Sequence, residues 1–368
     1  MDPLLLREER SVRALLKEVD SLLERLDRQL RIMEVCGTHT MTAYRSGLGT
    51  LLRKRGLRLI SGPGCPVCIT PDGIVGAAAA LVTERPDIIL ASFGDMLRVP
   101  TRKEPLLHLV PAKGSAVKTI YSPEEVLDIA RASPGKQVVF LAVGFETTIS
   151  SIAWTVEEAG RSGLKNLSFI TCLRLVPPPL RAILASGESG LDGFIYPGHV
   201  SAIIGSQPYE FIAREFSLPG AITGFEPADL LLGILSVLRQ IEGGEARVDI
   251  AYSRAVRPEG NPAARRVMAS ACEVTDGEWR GFGAIPRSGL RLRNRDLDAF
   301  ERFSLTYDSS WENTACRCGD VVRGLIEPEQ CPLFGNPCTP EQPMGPCMVS
   351  VEGSCLIHYK YGDTMWTE

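Results

Sequence analysis

The stretch 137–160, "QVVFLAVGFETTISSIAWTVEEAG", passes from a short apolar run through a Gly-Phe-Glu turn into a helical pattern. The first seven residues read as a buried strand and the last fourteen as an amphipathic helix. The same alternation extends on both sides. "RIMEV", "LRLIS", "DIILAS" and "VKTIY" are strand candidates before it; "LSFIT", "GFIYP" and "GAIT" follow it. Helical patterns such as "DGIVGAAAALVTE", "SPEEVLDIARA" and "PADLLLGILSVLRQI" lie between many of them. Strands alternating with helices predict an α/β fold, with parallel sheets covered by helices. Two sets of four strands predict two similar α/β domains, 31–117 and 118–250.

The flanks differ. Residues 4–30 carry Val12, Leu16, Val19, Leu23, Leu26 and Leu30 at intervals of four and three, with charged residues between. That spacing predicts one amphipathic helix, which we expect to occupy 1–30, join the domains and pack on the C-terminal one. Beyond residue 250 the rhythm stops, and 251–368 is rich in Arg, Gly and Pro, then in Cys. "CPLFGNPCTPEQPMGPC" cannot form a long helix or central strand, because its prolines remove donors and fix the backbone. A metal is expected to hold this third domain.

Composition narrows the function. The 368 residues are 44% hydrophobic and 23% charged, as in an ordinary globular protein. A net charge of -4 offers no general attraction for nucleic acid or anionic lipid. No apolar run approaches the length of a membrane span. "MDPLLLREERSVRALLKEVD" carries charges throughout and reads as neither signal nor transit peptide. The expected location is the cytoplasm. Eleven cysteines in such a chain point to metal binding or redox work rather than a disulfide framework.

In parallel α/β sheets ligands bind where the strands' carboxyl ends meet the loops. Here "RIMEV" runs into "CGTHTM", "LRLIS" into "GPGCPVC", "DIILAS" into "FGDMLRVP", "QVVFLAV" into "GFETT" and "GFIY" into "PGHVS". Cys36, His39, Cys65, Cys68, Glu146 and His199 are therefore the candidate site residues, in a cleft between the two α/β domains. After Cys68, Thr70 reads as an N-cap with Pro71 in the first helical position. The nearby helix N-terminus should favour thiolate at Cys65 and Cys68. His108 and His358 have no such company and read as structural, and Cys172 and Cys272 as small buried hydrophobes. The terminal spacing, Cys318-x12-Cys331-x6-Cys338-x8-Cys347-x7-Cys355, lacks a tight zinc knuckle and suits an iron–sulfur cluster better. Six cysteines from Cys316 onward leave its ligands open at this level. Phosphate-loop, dinucleotide and H-E-x-x-H motifs are absent.

Taken together, "CGTHT", "GPGCPVC", "FGDMLRVP", "VGFETT", "PGHVSAIIG", "GFEP" and "CPLFGNPC…MVSVEGSC" resemble the HypD family of hydrogenase maturation factors, from about residue 31 to the C-terminus. The resemblance implies a scaffold with redox activity rather than a conventional metabolic enzyme. On it the Fe(CN)2CO unit of [NiFe]-hydrogenase is assembled, with a HypC-type chaperone and with cyanide delivered by a HypE-type partner fed by a HypF-type carbamoyltransferase. It implies two related α/β domains and a third holding a [4Fe-4S] cluster. By the family pattern Cys36 holds the transient iron with a cysteine of the chaperone. Cys65 and Cys68 form the redox-active pair, opening from disulfide to dithiol, and are expected with Cys36 as iron ligands. Cys318, Cys331, Cys338 and Cys355 match the cluster cysteines, without Cys316 or Cys347. The family motif reads Cys-Gly-x-His-x-His, and Met41 stands where its second His is expected. Two other readings use the same residues: a thiol–disulfide oxidoreductase with an iron–sulfur or zinc domain, and a metal-stapled interaction scaffold without redox chemistry.

Overall fold

A computed structural model describes residues 9–101, 105–306 and 315–362. Each of the eight expected strands forms: β1 (Leu30–Glu34), β2 (Leu57–Ser61), β3 (Ile88–Phe93), β4 (Ala116–Ile120), β5 (Gln137–Gly144), β6 (Leu167–Arg174), β7 (Gly193–Pro197) and β8 (Gly220–Thr223). Three more follow, β9 (Val248–Ile250), β10 (Cys272–Trp279) and β11 (Gly283–Leu292). The α/β class is borne out. One sheet runs β2-β1-β7-β8-β9, parallel throughout. The other runs β10-β11-β6-β5-β3-β4, parallel from β6 to β4 and antiparallel at β11 and β10.

The sheets do not follow chain order, as two consecutive sets of four would. The chain lays down β1 and β2, builds β3 to β6 in the second sheet, and returns to the first with β7. The reason is that β1, β3, β5 and β7 are all short apolar runs suited to interior positions, so their patterns do not say which is paired with which. Register does: Ile88 of β3 pairs with Gln137 of β5, and Ile32 of β1 with Gly193 of β7. The region after 250 also departs from expectation. Its hairpin β10–β11 extends the second sheet, with Leu290 opposite Leu173 of β6, and the cysteine-rich part begins only after it.

The N-terminal helix spans Glu9–Leu26 and buries Val19, Leu22 and Leu23. Its long contact is with helix Pro227–Gly243 of the first sheet, reinforced by ion pairs Arg25–Glu242 and Arg239–Glu18. The C-terminal part reaches the same apolar cluster through Ile357 and Tyr361, so packing on that part alone is not what forms. Helix Pro227–Gly243 is apolar on nearly every face and needs a cover on the side away from the sheet. Leu22→Ala should leave a cavity there and cost about 2–5 kcal/mol. A urea midpoint unchanged from wild type would show that this helix is not part of the cooperative unit.

One apolar cluster joins Met33 and Ile60 to Cys65, Cys68 and Tyr196, and continues to Cys318 and Cys355. The cysteine-rich part thus shares a core with the α/β sheets. Among the described residues no helix is long and apolar enough to cross a membrane.

Candidate functional site

Strand β1 ends at Glu34, and Cys36 occupies the cap position of helix Gly37–Arg45 in an extended conformation, with its carbonyl accepting from the amides of His39 (2.9 Å) and Thr40 (3.2 Å). The dithiol loop lies directly on it. Gly62 N donates to Glu34 O at 2.8 Å, and a Cβ at Gly64 would stand 2.6 Å from Cys36 Cα. Only glycine permits that approach. On the other side a Cβ at Gly37 would stand 2.8 Å from Glu352 Cα, and Thr38 Oγ1 donates to Glu352 Oε1 at 2.9 Å. The segment carrying Glu352 is held in turn by Val351 N donating to Asp95 Oδ2 at 3.1 Å. Burial, then the carboxylates of Glu352 and Glu34, push the Cys36 thiol up to about 12. Glu34, itself raised to about 8 by burial, accepts from Cys36 N at 3.0 Å and from the Thr40 hydroxyl.

Cys65 and Cys68 are joined as a disulfide, with Cα atoms 5.3 Å apart. The expected cap is displaced by one residue. Pro71 takes the cap position, the helix is Asp72–Glu84, and the Thr70 hydroxyl instead donates to Pro66 O at 2.8 Å, closing the dithiol turn. Asp72 is engaged by Arg280 in a buried ion pair. Cys318 Sγ lies 4.0 Å from Cys68 O, so the loop that carries the disulfide touches the C-terminal cysteines at Cys68 and Cys36 at Gly64.

His39 and His199 meet on one aromatic ring. Phe225, from "GFEP", stacks on His39 at 4.9 Å and on His199 at 3.8 Å between centroids. His39 Nε2 lies 3.0 Å from Gly224 O, and a carbonyl only accepts, so Nε2 carries the proton. Nδ1 then holds a bare lone pair and finds no hydrogen-bond partner among the described residues. Burial lowers His39 to about 4, so the ring is neutral at physiological pH. Met41 faces elsewhere, against the apolar cluster of Leu48, Leu52 and Leu230. Residues two apart on a helix do not share a face; the motif's second His position is not beside the Phe225 ring.

Glu146 begins helix Glu146–Arg161 at the end of β5, is 1% exposed, and accepts from Val176 N at 3.0 Å through Oε1. Its Oε2 finds no partner among the described residues. Burial raises it to about 7. It does not hydrogen-bond Cys36 or the histidines; Tyr209, held well above its ordinary value mainly by burial, feels both Glu146 and Cys36. Because the folded state holds this proton more tightly than the unfolded chain, the contribution is complete below about pH 4.5 and is lost as pH rises through about 7. Wild-type stability should therefore fall by up to roughly 3 kcal/mol between pH 5 and 8 through this group. Glu146→Gln should flatten that portion; parallel urea curves for the two proteins at both pH values would contradict it.

Six thiols, Cys316, Cys318, Cys331, Cys338, Cys347 and Cys355, line one small cavity walled by Leu333, Phe334 and Met348. Among the described residues no three of His, Cys, Asp or Glu are arranged to hold a single metal ion. Cys318 Sγ and Cys347 Sγ are 2.7 Å apart. Hydrogen bonds with Cys316 and Cys347, together with Arg280, hold Cys318 well below the ordinary value for a thiol. Cys316 and Cys347 are correspondingly raised and stay protonated. His358 is buried against Tyr44 (4.1 Å) and pairs with Glu329 at 2.7 Å, while Cys172 and Cys272 lie in the apolar core.

Sequence reasoning did not single out Glu34, Glu352, Phe225 or Arg280. Glu34 carried a signal, being an acid that ends an otherwise buried strand beside Cys36. Arg280 carried none, since its partners lie more than 200 residues away.

A family model described as "HypD: Hydrogenase formation hypA family" matches residues 10–362. The chain is 46% identical over 343 residues to the hydrogenase expression/formation protein HupD of Azotobacter chroococcum mcd 1, covering 91% of this chain and 90% of that protein. It is 41% identical over 367 residues to hydrogenase maturation factor HypD of Rhodobacter capsulatus, with 97% of each chain covered. Against hydrogenase maturation factor HypD of Escherichia coli (strain K12) the identity is 39% over 338 residues, covering 91% and 90%.

Proposed function

This chain belongs to the HypD family of hydrogenase maturation factors, and from that premise we propose that it is a cytoplasmic scaffold on which the Fe(CN)2CO unit of [NiFe]-hydrogenase is assembled. The iron is its cargo. Cys36 holds it together with a cysteine of a HypC-type chaperone, and a HypE-type partner supplies the cyanide. Low-spin iron bearing cyanide and carbon monoxide favours soft thiolate ligands. The observation that carries the reading is the seating of the Gly64 backbone on Cys36, which sets a redox-capable disulfide beside a buried single thiol.

Each side chain has a distinct task. Cys36 is a thiol held up to about 12, so it gives up its proton only when a cation takes the proton's place, which favours metal loading over free thiolate. His39 presents a neutral, buried Nδ1 acceptor. Opening the Cys65–Cys68 disulfide consumes two electrons and two protons and yields two thiols. Cys318, Cys331, Cys338 and Cys355 would hold a [4Fe-4S] cluster, with Cys316 and Cys347 beside them outside the ligand set; the thiol-lined cavity supports this donor set. Such a cluster supplies single electrons when bound. Cys318, one of the residues that would hold the group, lies against the main chain of Cys68 in the disulfide loop.

The test is an infrared spectrum of the protein co-expressed with its chaperone and purified without oxygen. Cyanide and carbonyl stretches are expected. Their absence from a protein that holds its chaperone and an iron–sulfur cluster would overturn the scaffold reading in favour of a thiol–disulfide oxidoreductase.

A further inference from the structure

We propose that Arg280 is a positioning residue that locks the Cys65–Cys68 loop to the C-terminal cysteines and whose charge raises the reduction potential of the cluster they hold. The inference rests on the cluster assignment above. Arg280 stands at the tip of the β10–β11 hairpin, where three segments cross. Its backbone N donates to Ile69 O at 2.9 Å and its Nε to Thr70 O at 3.2 Å, both in the tail of the dithiol loop. Its guanidinium pairs with Asp72, the first residue of the next helix, and the two side chains are only 7% and 4% exposed. The following residue, Gly281, packs back to back on Gly319: a Cβ at Gly319 would stand 2.6 Å from Gly281 Cα. Gly319 is the neighbour of Cys318, and Cys318 Sγ rests 4.0 Å from Cys68 O. One hairpin tip thus fixes the disulfide loop on one side and the cysteine pocket on the other.

A buried guanidinium is costly, and the Asp72 carboxylate with the Thr70 carbonyl compensates it. The same burial makes its field long-ranged, because little water screens it. The Gly281–Gly319 packing brings the hairpin that carries this charge against the segment of Cys318. Adding one electron to a thiolate-bound cluster adds one negative charge, which a nearby buried cation favours. Asp72 opposes the effect, so the two members of the pair have opposite influence on the potential while both contribute to the clamp.

That opposition supplies the test. Anaerobic full-length protein is titrated with dithionite and mediator dyes, each cluster taking one electron from dithionite, and the reduced cluster is followed by electron paramagnetic resonance. Arg280→Gln should lower the ratio of reduced to oxidised cluster about tenfold at fixed potential, equivalent to about 59 mV. Asp72→Asn should shift it the other way, Arg280→Lys should recover most of the loss, and the Arg280→Gln/Asp72→Asn pair should return close to wild type. Shifts of the same sign in Arg280→Gln and Asp72→Asn, or none in either, at wild-type iron and sulfide content would overturn the proposal and leave the cluster reading standing. Wild-type protein that binds no iron and sulfide would overturn both. Should Arg280→Gln fail to fold, the direction of the Asp72→Asn shift decides.

Discussion

Cys36→Ala should abolish both the cyanide and the carbonyl infrared stretches in protein purified with its chaperone, while leaving the fold in place. The polar contacts of Cys36 run through its backbone: N to Glu34, and O from His39 and Thr40. Alanine keeps all of them, so the helix start and the Gly64 contact survive, and the lost sulfur should cost only about 1 kcal/mol of packing. The chemical loss is total, because no other soft ligand occupies that cap position. Cys36→Ser should fail similarly, since a hydroxyl is a hard ligand poorly matched to low-spin iron. Persistence of either stretch in Cys36→Ala, at an unchanged melting temperature, would move the iron to another thiol, with Cys65 and Cys68 of the adjoining loop the first to test.

Gly64→Ala should be nearly as damaging without removing any reactive atom. The new methyl group would meet Cys36 N and Cα and the Val35 carbonyl carbon, all main-chain atoms that cannot rotate aside. Either the dithiol loop retreats or β1 bends, at about 1–3 kcal/mol. In both cases the disulfide separates from Cys36. We expect iron occupancy to drop at least tenfold and the urea midpoint to fall. Gly76→Ala is the matched control: it lies in helix Asp72–Glu84 with nothing within 4 Å of the added methyl, and should be neutral or slightly stabilising. A Gly64→Ala protein with wild-type iron content would show that the juxtaposition of the two loops is not needed for loading.

Much of the site was legible because parallel α/β sheets put their loops at strand carboxyl ends. The Cys36, Cys65/Cys68 and His199 loops follow β1, β2 and β7 of one sheet, and Glu146 follows β5 of the other. What was not legible is the pairing between distant segments. Glu352 covers Cys36 from more than 300 residues away, and Phe225 separates two histidines that lie 160 residues apart in sequence. The Thr70 cap failed for a local reason with a distant cause: its hydroxyl is taken by Pro66 O, while Asp72 at the helix start is claimed by Arg280.

From the sequence alone came the first eight strands, most of the long helices, the thiol-bearing loops and the family, since each is written in local pattern or in short motifs. Tertiary structure decided which strands are neighbours, that the chain leaves the first sheet after β2 and returns at β7, that the N-terminal helix lies on Pro227–Gly243, and that Cys318 reaches Cys68. The division has one physical cause. Local propensity and periodicity depend on residues a few positions apart, whereas burial of apolar faces and neutralisation of groups such as Arg280 and Glu34 are settled only when distant segments pack together.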